Sequence, residues 1–572
     1  MSTIESLYRK VSEKSRVYDV VRDKTETHHL LLSSYVLLIS TVFVGSMTIL
    51  ALYSLQPSNT FTLADWTVSN YVEIFQGKLY KEFLFNSFRI GVITTGISLL
   101  VCYPAAYALG RKITRFRRPI LMLLIMPLLT SVVMRVYGWT VFLVKDGIIS
   151  TLYSTLFSGS MPSLLYTEGA TILGTTYIYL PFMLFPIYLS IANINPSVIE
   201  AARDLGAGKL VTFRRIILPQ SKPGVIIGTL FVFILSTGAE IEASMLGGNA
   251  IATVATDIKR SFGFVQDWPM GSAKAILLLL VSLVAGVVIL RIVSLEEIAV
   301  RSGGATETTD QHTSRAESAV WYGYVLLTVV FLNLPILGVI TASFYDGVAF
   351  TFPYKFTLES YMAAVTSGAV YDAVGTSLKI AIPVTILSTL IGGAAGIGYA
   401  RYQFRGREAF KIGALLPIFF PLLLTGLAMA LWFDLLGIQR GILATILGHT
   451  TWMSPIVMFV VVLKAIAIDP HVEEAAKDLG AGFYTQYKEI TLPLVSNGLI
   501  SGALFAFILS WNNYYISAYL SGPTDTVTTW IRGQIAFGYD PVVSAFTAMI
   551  IYSIIPFIVI VFILEVRDKK QD

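Results

Sequence analysis

The sequence is poor in the residues on which most soluble functions depend. One cysteine, Cys102, excludes a disulfide framework, and its place inside an apolar run suits a small buried hydrophobe. Five histidines, His28, His29, His312, His449 and His471, show no metal-ligand spacing and read as solvated or helix-capping groups. Only 13% of the 572 residues are charged while 55% are apolar, which excludes a soluble globular protein of this length. A phosphate loop is missing too. The nearest approach, Gly206-Ala-Gly208-Lys209-Leu210, has Arg203 where the motif's first glycine belongs and Leu210 where Ser or Thr should hold magnesium. The chain is therefore not expected to bind ATP or a metal itself, and no catalytic constellation is visible.

Apolar runs are what it has in abundance, each of about 20 residues or more, enough to cross a bilayer. They fall near 30–55, 84–109, 119–145, 170–193, 223–246 and 272–293, and again near 319–343, 373–400, 412–437, 441–467, 496–520 and 541–566. This predicts an all-α polytopic membrane protein of about twelve spans in two sets of six. Gly392 and Gly396 are spaced for close helix contact. The organisation follows: a polar tail at 1–29 without a cleavable signal pattern, a first domain at 30–294, and a small, polar linker at 295–318. A second domain covers 319–566 and a short tail 567–572.

A polar island follows the fourth run of each set. Both read Glu-Ala-Ala, three residues, Gly, nine residues, Ile, one residue, Leu-Pro, beginning at Glu200 and at Glu474. Asn195-Pro196 and Asp469-Pro470 supply a capping side chain with proline at the first helical position, and Gly206 and Gly480 suit the left-handed residue that ends a helix. Val198, Ala202 and Leu205, like Val472, Ala476 and Leu479, make one apolar face. Six crossings separate the islands, so they face the same side and the repeat is parallel. Most of the chain's 41 Lys and Arg fall in segments on that side, which makes it cytoplasmic together with both termini. The densest cluster, Arg111, Lys112, Arg115, Arg117 and Arg118, reads as lipid-headgroup anchoring, not nucleic-acid binding. Aromatics in the outer segments 56–83 and 344–372, Tyr354 among them, mark the interface.

The islands resemble the cytoplasmic coupling loop of permease subunits in bacterial ATP-binding-cassette (ABC) importers. The resemblance implies the type I importer permease fold twice over, with coupling loops 194–219 and 468–493 docking on two copies of a separate ABC ATPase. Glu200, Ala201, Ala202 and Gly206, with Glu474, Ala475, Ala476 and Gly480, would make that contact. ATP and magnesium would belong to the ATPase, leaving this chain without a cofactor. An extracytoplasmic solute-binding protein and a bacterial inner-membrane location are implied as well. The stretches Val133-Met-Arg-Val-Tyr-Gly-Trp139, Gln266-Asp-Trp-Pro-Met-Gly-Ser272 and Leu447-Gly-His-Thr-Thr-Trp452 resemble the spermidine/putrescine class, whose relatives carry ferric iron, thiamine or aminoethylphosphonate. A secondary transporter with six plus six spans is the alternative from another class; capped islands after both fourth spans favour the importer.

Ionisable groups within spans mark pathways. Arg135 lies in the third run, and Glu240 and Glu242 lie late in the fifth, where a continuous helix would turn them about 200° apart. One would then pair with Arg135 and the other point outward. Asn512 and Asn513 are read as standing where the first half has its acids, a departure from the acidic pair of the polyamine class. Arg135, Glu240, Glu242 and Ser244, with Asn512, Asn513 and Tyr515, are the expected lining of a path for an amine-bearing or cationic solute.

Overall fold

The computed structural model describes residues 31–292, except 146, 158, 160 and 249, together with 314–345, 355–536 and 540–568. The expected tail at 1–29, most of the linker, the last residues of the chain, Tyr354, His28, His29 and His312 lie outside them. All twelve apolar runs fall on helices. The first half comprises α1 (Leu31–Tyr53), α2 (Lys78–Lys112), α3 (Arg117–Leu129), α4 (Val132–Phe157), α5 (Glu168–Ala192), α6 (Pro196–Asp204), α7 (Lys209–Thr237), α8 (Val254–Arg260) and α9 (Trp268–Ile292). The second repeats it as α10 (Arg315–Ser343), α11 (Gly368–Arg401), α12 (Arg407–Phe419), α13 (Leu422–Leu435), α14 (Ile442–Ile466), α15 (Pro470–Asp478), α16 (Tyr484–Trp511), α17 (Val527–Ala536) and α18 (Pro541–Asp568).

Among the described residues eight helices are long and apolar enough to cross a bilayer singly, and two bent pairs bring the number to ten. The sixth and twelfth runs fall on α9 and α18, whose described apolar stretches, Trp268–Val284 and Pro541–Ser553, are shorter.

Two features depart from the straight spans that hydropathy predicts. The third and ninth spans are broken, with α3 and α4 bent by 96° and α12 and α13 by 103°. Pro127 and Pro417 each sit in a tight 3-10 turn, and Thr130 and Phe420 leave it in extended conformation. Proline lacks the N–H that would carry the helix on, so a new helix must start. Ser131 starts one, its hydroxyl accepting from the Val133 amide at 3.3 Å. The fifth and eleventh spans also stop short. α7 ends at Thr237 and α16 at Trp511, where the apolar runs continue to about 246 and 520. Their caps, Gly238 (φ −93°, ψ 7°) and Asn512 (φ −92°, ψ 1°), have nearly the same conformation. Short helical turns follow at Ala243–Gly247 and Tyr515–Leu520.

Each half packs its second, fourth and fifth spans into a core, and the first spans are exchanged between halves. α1 lies on α13, and α10 lies on α4. The Tyr35 hydroxyl donates to the Ala414 carbonyl at 2.7 Å, and Asn333 Nδ2 to the Leu123 carbonyl at 3.1 Å. Close approach is bought with small residues: a Cβ on Gly138 would collide with the Pro335 backbone, and one on Gly396 would stand 2.9 Å from the Met458 carbonyl.

The breaks meet across the same interface. Asn512 Nδ2 donates to the Leu129 carbonyl at 2.6 Å, and Gly238 lies against Pro421. Replacing Asn512 with Ala strands that part-buried carbonyl, so stability should fall by about 1 kcal/mol or more. The expected readout is a lower midpoint for the detergent-purified chain; an unchanged midpoint would show that the Leu129 carbonyl needs no partner from α16.

Candidate functional site

The two polar islands build the same local structure. Asn195 and Asp469 each accept from the amide two residues on, at 3.0 Å, and the following prolines open α6 and α15. Each helix ends in a paired cap. Gly206 N–H bonds to the Arg203 carbonyl at 2.8 Å and Ala207 N–H to Ala202 at 2.9 Å; Gly480 and Ala481 bond likewise to Lys477 and Ala476. That geometry requires a left-handed residue, and Gly206 and Gly480 have φ of +80° and +87°. Glu200, Ala201, Glu474 and Ala475 are exposed, Ala202 is half-buried and Ala476 buried. Leu205 and Leu479, each 89% exposed, project beside the caps with nothing over them. His471 Nδ1 lies 2.7 Å from Asp469 Oδ1. The backbone and side-chain bonds from His471 hold Asp469 below its usual range, and the side-chain bond to Asp469 raises His471.

The loops are tethered differently. Arg111 donates to the Ile194 carbonyl, and Arg401 to the Ile468 carbonyl at 3.1 Å, so each second span grips the chain just before its island. Arg111 and Lys112 are thus buried protein contacts, not the headgroup anchors expected of that cluster. In the second half Arg401 also pairs with Glu473 at 3.1 Å, and Thr491 donates to the same carboxylate at 2.8 Å. The first half has buried Ile199 at the corresponding place. There Glu317, at the start of α10, pairs with Lys209 at 2.6 Å and Lys112 at 3.1 Å instead.

The second site lies where the fifth and eleventh spans break. Glu240 falls in the non-helical link after α7, so the opposed directions expected of Glu240 and Glu242 on one helix do not arise. Glu240 Oε1 pairs with Lys259 Nζ on α8 at 2.6 Å, not with Arg135. Glu240 Oε2 is buried with no hydrogen-bond partner among the described residues, as is Arg135 Nε, while the buried Glu242 carboxylate is faced by the Tyr179 hydroxyl. Arg135, Tyr179 and Tyr515 stand within electrostatic reach of Glu242, and Tyr514 within reach of Glu240 and Lys259. The turn Ala243–Gly247 packs on α4 and α5. Ser244 is half-buried, its hydroxyl donating to the Ile241 carbonyl at 3.2 Å.

Aligning the halves at the helix ends changes one correspondence. Gly238 matches Asn512, so Ala239 matches Asn513, Glu240 matches Tyr514 and Glu242 matches Ile516. Asn512 and Asn513 therefore do not stand where the acids stand. Their work is local: Asn512 bonds the broken third span, and Asn513 Oδ1 accepts from the Ile516 amide at 3.0 Å. Four residues escaped the sequence reading of this site, namely Lys259, Tyr179, Tyr514 and His449. His449 is neither solvated nor capping. It is buried in α14, with Nδ1 2.9 Å from Ser510 Oγ and Nε2 3.1 Å from Ser517 Oγ, so it bridges the two sides of the second break. A lone histidine within an apolar run was the available signal.

Residues 91–295 and 388–571 match the family described as binding-protein-dependent transport system inner membrane component. The spermidine/putrescine transport system permease protein PotB of Haemophilus influenzae is 36% identical over 241 residues, covering 42% of this chain and 84% of that protein. The Escherichia coli K12 protein of the same name is 36% identical over 223 residues (39% and 81%). The putrescine transport system permease protein PotI of E. coli K12 is 30% identical over 255 residues (43% and 91%). A crystal structure of a bacterial ABC transporter involved in import of the acidic polysaccharide alginate matches at 17% identity and TM-score 0.34, covering 44% of this chain and 98% of that one. The chain belongs to the inner-membrane components of binding-protein-dependent transport systems, as a multi-pass ABC importer permease carrying two copies of the permease domain in one polypeptide.

Proposed function

We propose that this permease carries a small amine-bearing cation, of the polyamine kind, along a path between its two halves, driven through α6 and α15 by separate ATPase subunits. The observation that carries the cargo reading is the pair of buried acids at the facing breaks: Glu240, whose Oε2 has no hydrogen-bond partner among the described residues, and Glu242, faced by the Tyr179 hydroxyl. Buried carboxylates are held by cations or donors, and an ammonium supplies both. Tyr514 and Tyr515, from the other half, bring hydroxyls and ring faces that suit an amine. The names of the relatives point to the same cargo class.

For coupling, Leu205 and Leu479 with Val198 (41% exposed) and Val472 (46%) offer apolar faces in water that only a partner would cover. Two ATPase copies, holding the ATP and magnesium, fit two loops of identical backbone. The charges around them differ, Arg203, Arg214 and Arg215 against Lys477, Lys488 and Glu489, so the shared apolar face carries affinity and the charges tune it. The loops and both termini face the cytoplasm, and a solute-binding protein docks on the opposite side.

Two experiments test these readings. Exchanging Gly206 and Gly480 together for Val forces a branched residue into left-handed backbone, at about 1–2 kcal/mol each. A Cβ meets nothing within 4 Å at either site, so the effect is confined to the loop ends. The expected result is a folded permease that loses the copurifying ATPase or hydrolyses ATP without transport; wild-type transport would remove the coupling reading. For the path, Glu242→Gln should lower putrescine uptake by the reconstituted importer at least about tenfold, the scale of a hydrogen bond to a charged group. Assembly and basal ATPase should persist. Unchanged uptake would place the path elsewhere.

A further inference from the structure

The Glu240–Lys259 pair is oddly built for a structural tie. The Glu240 side chain is 1% exposed while the Lys259 side chain is 36% exposed, so a partly exposed arm reaches inward to a buried acid. The arm's base is rigid. Thr253 and Thr256 form a reciprocal capping box at the start of α8, the Val254 amide donates to Ser87 Oγ at 2.8 Å, and Asp257 pairs with Lys274 at 2.7 Å. The acid is not saturated either, because Glu240 Oε2 has no partner.

The repeat supplies a second observation. α17 is the counterpart of α8, and Arg532 stands where Lys259 stands, yet its side faces Tyr514, the counterpart of Glu240. Arg532 Nε has no hydrogen-bond partner among the described residues. A cation at this position is thus present in both halves, but among the described residues only the first half pairs it with an acid. Glu240 and Lys259 form a neutral pair whose carboxylate is buried. In a buried setting such a balance cannot be broken cheaply, so an entering cation must displace one already there.

We propose that Lys259 is an intramolecular stand-in for the cargo's ammonium: it occupies Glu240 when the path is empty and swings out to the exposed side as an amine takes its place. This rests on the amine-cargo reading. Lys259 is a primary amine on a methylene stem, which is the recognition element of a polyamine, so Glu240 selects a primary ammonium by meeting one in each state. Displacement keeps the Glu240 carboxylate paired with one ammonium in each state. It also sets affinity, since the arm competes with cargo at an effective concentration fixed by its tether.

The test uses the importer reconstituted in proteoliposomes with its copurifying ATPase and binding protein, and radiolabelled putrescine and spermidine as probes. Lys259→Met should lower the half-saturation concentration roughly three- to fivefold, the worth of a partly exposed ion pair, and should raise ATPase activity without cargo. Glu240→Gln should instead lose uptake. Should Lys259→Met assemble poorly, Lys259→Cys provides a second route, because the native thiol, Cys102, is fully buried. Attaching a 2-aminoethyl group through a mixed disulfide restores the ammonium and should return half-saturation to the wild-type value, while a methyl group attached in the same way should not. Parallel loss of uptake in Lys259→Met and Glu240→Gln at unchanged half-saturation would make the pair structural and overturn the proposal. Absence of uptake of either amine by the wild-type importer would overturn the cargo reading and this proposal with it.

Discussion

Inside a bilayer the backbone has no water to bond, so a helix can break only where protein covers the freed groups. This chain breaks its spans at four places, near Thr130, Gly238, Phe420 and Asn512, and brings these breaks together between its halves. Asn512 reaches across to the Leu129 carbonyl, and Gly238 closes on Pro421. The same contacts that make the breaks tolerable also gather polar side chains at the interface of the halves. The path proposed for this region would therefore follow from how the backbone is satisfied, and Arg135, Glu240 and Glu242 lie in that covered zone.

Fusion of the two copies matters because it frees them to diverge. The caps at Gly238 and Asn512 agree to within a few degrees, yet the residues after them differ: acids in the first half, tyrosines and asparagines in the second. His449 pins the second break through Ser510 and Ser517, while the first half has Thr175 at the corresponding place and Ala243 opposite Ser517. One side of the interface is thus held by neutral hydrogen bonds and the other carries charge. Two identical subunits would have to present the same side chains to each other, and four buried acids would then meet at the axis.

The capped helices of the two polar islands were legible in the sequence because their signals are local. A capping side chain, a proline and a glycine specify α6 and α15 within a dozen residues, and the structure realises those signals as the caps at Gly206 and Gly480. The breaks were not legible from hydropathy alone, since an apolar run that reaches about residue 246 carries the span past the end of α7 at Thr237. Pro127 and Pro417 were the better clue. Pairing Asn512 and Asn513 with the acids followed from matching polar residue to polar residue, when the repeat is kept by helix ends. Lys259 was invisible for a different reason: its partner lies on another element, and nothing in the spacing of residues 240 and 259 predicts that α8 folds back over the break.

The exchanged first spans give the two coupling loops different mechanical connections. Through Lys209 and Glu317 the first loop bears on α10, and α10 packs along α4 so tightly that Gly138 admits no side chain against Pro335. α4 carries Arg135. The first loop is thus linked, through Glu317 and two close-packed helices, to the helix carrying the cation within reach of Glu242. The second loop is fastened through Glu473 to Arg401 at the end of α11, a helix of its own half's core. Close-packed helices transmit shifts without absorbing them, so equal motions of two similar loops must produce unequal results. The first loop moves a group that faces the carboxylates, whereas the second moves the scaffold around His449 and the tyrosines. On the proposed function an alternating-access cycle would be asymmetric, with the acid-bearing side of the interface tied to one loop and the hydrogen-bonded side to the other.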